Sequence, residues 1–185
     1  MSRRLLGLVG PPGVGKSTYA ARLEREIPDS AVLPMDGFHL PQATLVQLGR
    51  RDRMGAPDTF DVEGFVGVLV RLRTEDEVLA PGFDRDIEEA VPDAIRIGPG
   101  IRTVIVEGNY LLHDEHGWER VRPLLDEVRY LHVPEPLRHE RLIARHIAFG
   151  KSPEAARAWA LGTDERNAEL ITRGAHRADR VVELD

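Results

Sequence analysis

The stretch Gly10-Pro11-Pro12-Gly13-Val14-Gly15-Lys16-Ser17 decides the fold. It matches G-x-x-x-x-G-K-[ST] at every fixed position, which is the pattern of a loop that wraps nucleotide phosphates. Its glycines let backbone N–H groups converge on phosphate oxygens, and the helix that follows adds its positive N-terminal end. Lys16 can reach the β- and γ-phosphates, and the Ser17 hydroxyl can ligate Mg²⁺. We therefore predict that this loop, continued by Thr18, binds ATP and Mg²⁺. A glycine-rich turn without a ligand is the alternative.

The sequence on either side of this loop predicts an α/β fold. Short apolar, β-branched runs predict strands at residues 5–9, 31–35, 103–106, 128–133 and 180–184. Helical patterns occupy residues 16–27, 61–73, 118–126, 135–149 and 153–173. Because strands that alternate with helices form parallel sheets, we expect a mostly parallel five-stranded sheet flanked by helices. The Gly- and Pro-containing segment at 75–100 predicts a hairpin-like excursion.

Composition narrows the class of protein. The chain has 185 residues, a net charge of −6 and no cysteine. This length suits one domain, and the negative charge argues against a nucleic-acid partner, which would need a basic footprint. No apolar run approaches the length of a membrane span, and the lack of cysteine fits a cytoplasmic location. Lys16 and Lys151 are the only lysines, so arginine clusters carry less weight than either lysine.

Two acids directly follow predicted strands. Asp36 comes after the run at 31–35, and Glu107 comes after the run at 103–106. Ligands of open parallel sheets bind beyond the carboxyl ends of the strands. Phosphoryl transfer needs one carboxylate at the acceptor hydroxyl and a second near Mg²⁺. We assign Asp36 as the general base and Glu107 to the metal's environment, with both at the substrate. The alternative is that each acid caps a loop or a helix.

Four stretches resemble the phosphoribulokinase, uridine kinase and bacterial pantothenate kinase group of P-loop kinases. Besides the loop at 10–17, they are Asp36-Gly37-Phe38-His39, Gly55-Ala56-Pro57-Asp58-Thr59-Phe60-Asp61 and Val106-Glu107-Gly108-Asn109-Tyr110. They follow the order of that group over nearly the whole chain. The likeness is nearest to short bacterial proteins called nucleoside/nucleotide kinases or sugar-transport-associated kinases.

The resemblance implies a P-loop NTPase fold and ATP bound at Lys16 and Ser17. It also implies a catalytic role for Asp36 and a lid arginine near the end of the helix at 135–149. It does not imply an acceptor, because His39 stands where uridine kinases carry a tyrosine.

Three arginines share one face of the helix predicted at 135–149. Arg138, Arg141 and Arg145 are spaced i, i+3 and i+7. Like charges at this spacing cost about 0.2–0.5 kcal/mol per pair unless an anion compensates. We predict that the helix acts as a lid and brings Arg141 or Arg145 to the transferred phosphoryl group. A solvated face in an arginine-rich chain is the alternative.

The remaining substrate-site candidates are His39, Arg53, Phe83, Asp84, Arg85 and Tyr110. We expect His39 to bond a substrate hydroxyl or phosphate. Residues 83–85 would line the acceptor pocket, as the corresponding region does in the kinases that the chain resembles. Arg53 and Tyr110 lie near or within the motif stretches and are assigned to the same site. A structural role in a loop is the alternative for this set.

The full pattern predicts a single P-loop kinase domain over residues 1–185, with a lid at about 135–155 and an acceptor-site excursion at about 37–100. The expected activity is transfer of the γ-phosphate of ATP to a hydroxyl of a small molecule such as a nucleoside, a sugar or a pantothenate-like compound. An ATPase or nucleotide-switch module that acts through a protein partner is the alternative. The sequence leaves the oligomeric state open, and a homodimer is among the options.

Overall fold

Apolar strands form one five-stranded sheet at the centre of the protein. The computed structural model describes residues 3–185. Within them the sheet order is β2 (Ser30–Pro34), β5 (Thr103–Gly108), β1 (Arg4–Val9), β6 (Glu127–His132) and β7 (Arg180–Glu183). Every neighbouring pair is parallel. The predicted parallel sheet is therefore confirmed, and all five carboxyl ends lie along one edge.

A separate hairpin accounts for the predicted excursion. Its strands are β3 (Val78–Asp84) and β4 (Glu89–Ile97), which pair antiparallel. The register shifts between Ala80 and Gly82, where the ladder is irregular. The hairpin thus lies outside the central sheet, in the part of the chain that connects β2 to β5.

Six α-helices accompany the strands in the described part of the chain, residues 3–185. They are α1 (Lys16–Glu26), α2 (Gln42–Gln47), α3 (Val62–Thr74), α4 (Glu135–Ala148), α5 (Pro153–Leu161) and α6 (Thr163–Arg173). Asp61 accepts a hydrogen bond from the Gly64 N–H and caps α3, and Ser152 caps α5 in the same way through the Ala155 N–H. None of the helices within residues 3–185 has the length and apolarity needed to cross a bilayer.

Two helix predictions were wrong. Residues 118–126 form two short 3₁₀ helices at Trp118–Arg120 and Arg122–Leu124, and Pro123 has no N–H with which to continue an α-helical hydrogen-bond pattern. The helix predicted at 153–173 is divided at Gly162, which takes non-helical angles (φ −108°, ψ −87°) between α5 and α6. The short helix α2 was not predicted.

The sheet carries a hydrophobic cluster on each face, since alternate residues of β1 point to opposite sides. Leu6 and Leu8 pack with α1 residues on one face. Leu5 and Val9 face the larger cluster, which includes aromatic rings from α3 and the 3₁₀ segment. In this cluster the Phe65 ring contacts Phe38, with ring centroids 5.0 Å apart, and Trp118, with centroids 5.7 Å apart.

Phe65→Ala should lower the free energy of unfolding by about 3–5 kcal/mol, because it removes a fully buried ring and leaves a cavity in the larger cluster. Phe149→Ala is the matched control, since Phe149 is 57% exposed, and its effect should stay within about 0.5 kcal/mol. Urea denaturation measures both values. Equal effects of the two substitutions would contradict the placement of Phe65 in the core.

Candidate active site

The loop between β1 and α1 curls around the Lys16 side chain. Gly13 and Gly15 take positive φ values of 85° and 97°, which residues with a side chain rarely adopt. Lys16 Nζ donates to the carbonyl oxygens of Gly10 at 2.7 Å and Pro11 at 3.2 Å. The sequence therefore folds here into the concave loop that its pattern predicts, with the ammonium group held beneath it.

Burial dominates the electrostatics of this lysine. It lowers the pKa of Lys16 to about 8, although the Glu107 and Asp36 carboxylates act in the opposite direction and favour the charged form. The guanidinium groups of Arg145 and Arg138 add to the lowering. The four charged neighbours show that Lys16 lies where the carboxylates of the sheet edge meet the arginines of α4.

Glu107 lies beside the loop because β5 neighbours β1 in the sheet. The register pairs Glu107 with Leu8, immediately before the loop. The Ser17 hydroxyl donates to Glu107 Oε1 at 2.9 Å. Burial raises the pKa of the Glu107 carboxyl, while the Lys16 ammonium group lowers it. The hydroxyl and carboxylate oxygens together are the hard donors that Mg²⁺ prefers, so this pair fits a magnesium site.

Asp36 reaches the same edge from β2. It lies in a 3₁₀ turn, Met35–Phe38, just beyond Pro34, which is paired with Glu107 in the neighbouring strand. Gly37 packs so closely on the hairpin that a Cβ at this position would lie 2.1 Å from the Pro81 carbonyl oxygen. This close approach explains the Asp-Gly pair and brings the hairpin next to the Asp36 carboxylate.

Arg85 extends from the end of the hairpin to Asp36. Its Nη2 lies 2.9 Å from Asp36 Oδ2, and both side chains are partly exposed. The predicted general base is therefore already paired with a cation. Of the candidates at 83–85, Arg85 is the one whose side chain contacts Asp36.

His39 fixes the turn that carries Asp36. Its Nδ1 lies 2.8 Å from the Asp36 carbonyl oxygen, so this nitrogen carries the proton in that bond. Its ring lies between Phe60 and Phe83, with centroids 4.0 and 5.0 Å away. Burial lowers the pKa of His39, which favours a neutral ring with Nε2 as an acceptor. Phe83 therefore contacts His39, which in turn bonds the backbone of Asp36.

The three arginines of α4 point to three different places. Arg138 is buried, pairs with Glu165 Oε2 at 2.5 Å and donates to the Pro12 carbonyl at 3.4 Å. Arg141 Nη2 donates to the Asp185 carbonyl at 2.6 Å. The Arg145 side chain makes no hydrogen bond or ion pair within residues 3–185. Of the three arginines predicted to share a face, Arg138 thus anchors the helix on the phosphate loop and Arg141 bonds the carboxyl-terminal residue. The Arg145 side chain is the unpaired cation among them.

Arg145 is the arginine of α4 that faces both carboxylates. Although its side chain is solvent-exposed, desolvation by the surrounding protein lowers its pKa, and the Arg85 guanidinium lowers it further. Asp164, Asp36 and Glu107 act in the opposite direction. These influences place its charge near the Asp36–Arg85 pair.

Three predicted substrate contacts have structural partners instead. Arg53 pairs with Asp58 at 2.7 Å. Asp84 accepts from the Asp86 N–H at 2.9 Å and closes the hairpin turn. Tyr110 is buried, donates its hydroxyl proton to the Gly55 carbonyl at 2.6 Å and has a raised pKa because of burial. These side chains have structural partners in the free protein, and their roles in acceptor binding stay predictions.

A histidine–carboxylate contact that could not be predicted from the sequence lies beside Arg145. His146 Nε2 and Asp164 Oδ2 lie 2.7 Å apart with little exposure, and they join α4 to α6. The two residues are 18 positions apart on separate helices, and no periodic signal links them. A contact of this kind becomes visible only once the break at Gly162 is known.

One further cluster has the spacing of a metal site. Glu135, His139 and Glu165 form the group identified within residues 3–185. Glu165 Oε2, however, also accepts from Arg138 Nη2 at 2.5 Å. A cation there would face the Arg138 guanidinium, so we assign this cluster to the anchoring of α4 rather than to a metal.

Comparison with known proteins decides the family. No protein-family model matches the chain. It is 36% identical to the uncharacterized protein YggC of Escherichia coli over 98% of this chain and 78% of that protein. It is 38% identical to "Putative uridine kinase C227.14" of Schizosaccharomyces pombe over 80% of this chain and 68% of that protein.

A solved structure supports the same assignment. The structure of a "putative fructose transport system kinase" from Silicibacter sp. TM1040 is 39% identical in sequence, with a TM-score of 0.91 over 98% of this chain and 90% of that one. The chain belongs to the uridine kinase-like group of P-loop kinases. The resemblance carried by the four sequence stretches and the predicted P-loop fold are thereby confirmed.

The fit between the loop and α4 limits how this kinase can move. A Cβ on Gly13 would lie 2.7 Å from the Arg138 carbonyl oxygen and 3.1 Å from Leu142 Cβ. Together with the bond from Arg138 to the Pro12 carbonyl, this contact fixes the first half of α4 on the loop. Arg145 lies beyond this contact, in the last turn of the helix.

Gly13→Ala should lower the free energy of unfolding by at least about 1–2 kcal/mol, because φ is positive there and the new methyl group meets backbone. Gly67→Ala is the matched control. Gly67 lies in α3 with open space around it, and alanine should stabilise the helix by about 0.5–1 kcal/mol. We expect urea denaturation to show that the two substitutions change the free energy of unfolding in opposite directions. A stabilising effect of Gly13→Ala would contradict the tight contact.

Proposed function

We propose that this P-loop kinase transfers the γ-phosphate of ATP to a hydroxyl group of a small molecule. The observation that carries the proposal is the convergence of Lys16, the Ser17–Glu107 pair and Asp36 at one edge of the sheet. An ATPase could also use a second carboxylate, to activate water, but Asp36 lies against the hairpin outside the central sheet, whose surface can receive an acceptor. The Asp36 carboxylate therefore favours a kinase.

The loop residues bind the nucleotide in this proposal. Backbone N–H groups of residues 13–18 and the Lys16 ammonium group hold the phosphates, and the α1 N-terminus adds its positive end. Ser17 and Glu107 would hold Mg²⁺, which would supply positive charge to neutralise the phosphate oxygens. The raised pKa of Glu107 should return toward its normal value beside this cation, since a nearby positive charge favours the carboxylate.

Asp36 acts on the acceptor. Its carboxylate orients the acceptor hydroxyl and takes the proton as the oxygen forms its bond to the γ-phosphorus. The bond between that phosphorus and the bridging oxygen breaks, and ADP leaves with the electron pair. Lys16 and Arg145 stabilise the charge on the transferred group. His39 holds the Asp36 backbone through its Nδ1 proton, so we assign it a positioning role.

The lid in this proposal is smaller than the segment at 135–155. Because Arg138 fixes the first half of α4 on the loop, closure is confined to the last turn of the helix and the connection to α5. Gly150 lies in that connection with a φ of 90°. Arg145 thus sits next to the segment that can move, and we favour it over Arg141 as the catalytic arginine.

Purified protein should release ADP from Mg·ATP only when an acceptor is present. The panel contains nucleosides, hexoses, sugar phosphates and pantothenate, since the relatives' names refer to uridine and fructose. Asp36→Asn should lower kcat at least about 100-fold by removing the base, with ATP affinity little changed. Exposed Asp52→Asn is the control and should keep wild-type activity. ADP release that ignores every acceptor and survives Asp36→Asn would refute the kinase proposal.

Nucleotide binding should also change the protonation of Lys16. With a pKa of about 8 in the free protein, about half of the Lys16 side chains are neutral at pH 8, and bound phosphates favour the charged form. Binding of ATP should therefore be accompanied by the uptake of about half a proton by Lys16 at pH 8 and by no uptake at Lys16 at pH 6.5. Calorimetry in two buffers of different ionisation enthalpy measures this uptake.

Two variants assign the proton. Lys16→Arg should abolish the uptake at pH 8, because arginine is already charged. Lys151→Arg changes the only other lysine and should leave the uptake as in the wild type. An uptake that persists in Lys16→Arg would show that another group titrates.

A further inference from the structure

The Asp36–Arg85 pair blocks the base that the reaction uses. Arg85 Nη2 lies 2.9 Å from Asp36 Oδ2, within the space that an acceptor hydroxyl must enter to give up its proton. The pair is partly exposed, with 48% of the Arg85 side chain and 35% of the Asp36 side chain accessible. An acceptor can therefore reach the pair, but it competes with Arg85 for the carboxylate.

Within residues 3–185, Arg85 has no carboxylate partner other than Asp36. Two other arginines are paired with acids that lie outside the proposed site. Arg53 pairs with Asp58, and Arg51 pairs with Glu88 at 3.2 Å. If an acceptor displaces Arg85 from Asp36, the guanidinium group loses its counter-charge. Arg145 makes this harder, because its like charge lies close enough for Arg85 to lower the pKa of Arg145. A neutral acceptor would leave Arg85 without a counter-charge while the Arg145 charge repels it.

We infer that the acceptor carries its own anionic group, a carboxylate or a phosphate, which takes the place of Asp36 on Arg85 and so uncovers the base. This inference rests on the proposed function and names the substrate class of the same site. Guanidinium binds both kinds of anion in a bidentate geometry. The ion pair is exchanged rather than broken, so Arg85 keeps a counter-charge throughout.

The hairpin offers room for such a molecule. A shallow cavity of about 440 Å³, open to solvent, lies along it and is lined by Phe83, Arg85, Val91 and Ala94 among others. The Asp84 carboxylate in the lining is already held by the Asp86 N–H. Arg85 is thus the cationic side chain of the cavity and also the one that reaches Asp36.

The test uses acceptor pairs that differ in the anionic group. Glycerate is compared with glycerol, pantothenate with panthenol, and fructose 6-phosphate with fructose, so the panel separates carboxylate from phosphate. Acceptor-dependent ADP release gives kcat/KM for each, and calorimetry gives binding to the Mg·ADP form. We expect at least one acid to exceed its neutral partner by about 50-fold or more, the effect of one charged hydrogen bond.

The variants are Arg85→Gln, Arg85→Lys and Arg96→Gln. Arg85→Gln should reduce the preference for the acid to below about 5-fold, with the neutral partner unaffected or improved, and Arg85→Lys should retain part of the preference. Arg96 is the matched control, since it lies on the same hairpin but pairs with Glu77, at a distance of 2.5 Å, instead of with Asp36. Arg96→Gln should keep the wild-type preference.

The outcomes separate this inference from the proposed function. A neutral acceptor used as well as its acid, with turnover lost in Asp36→Asn, would overturn the anionic acceptor and leave the kinase standing. A preference that survives Arg85→Gln would make Arg85–Asp36 an ordinary surface ion pair and also overturn the inference. If no acceptor causes ADP release, the kinase proposal fails. The anion site at Arg85 is then tested by calorimetry alone, and it is supported if an acid binds to the wild type and not to Arg85→Gln. If no acid binds in a way that depends on Arg85, the inference is overturned.

Discussion

The site depends on placing one buried lysine between two carboxylates. Removing Lys16 from water costs free energy, which its lowered pKa records, and Glu107 and Asp36 offset part of that cost. The same carboxylates would repel nucleotide phosphates if the lysine were absent. The parallel sheet brings these charges together, because β1, β5 and β2 are neighbours and end at one edge. The order of the strands therefore decides the chemistry more than any single side chain does.

Close backbone contacts then hold the loops that carry these charges. Gly37 lets the Asp36 turn touch the hairpin at Pro81, and Gly13 lets the phosphate loop touch α4 at Arg138. Each contact leaves no space for a side chain and joins an element of the central sheet to one outside it. The first brings Arg85 within reach of Asp36, and the second brings the α4 arginines over the loop. The two glycines thus couple the nucleotide half of the site to the acceptor half.

Much of this arrangement could be predicted from the sequence, because its signals are local. The loop pattern, the apolar runs and the acids after two of them predicted the sheet and the placement of Lys16, Ser17, Asp36 and Glu107. What could not be predicted depends on partners far along the chain. The spacing of Arg138, Arg141 and Arg145 predicted a shared face, but it could not indicate that Glu165 and the Asp185 carbonyl hold two of them. Tyr110 lies within a motif stretch, yet its role is set by the Gly55 carbonyl, 55 positions away.

An Arg85 that covers Asp36 also bears on a general difficulty of phosphoryl transfer, which is that water competes with the acceptor. A base left open beside bound ATP would activate water as readily as an alcohol. With Arg85 on Oδ2, a water molecule cannot use this oxygen unless the guanidinium moves, and water brings no charge to receive it. An anionic acceptor does bring that charge. The Asp36 backbone is meanwhile held by His39, so the carboxylate can stay in place while the arginine changes partner. Specificity for the acceptor and protection against hydrolysis would then have the same physical origin, the exchange of one ion pair for another.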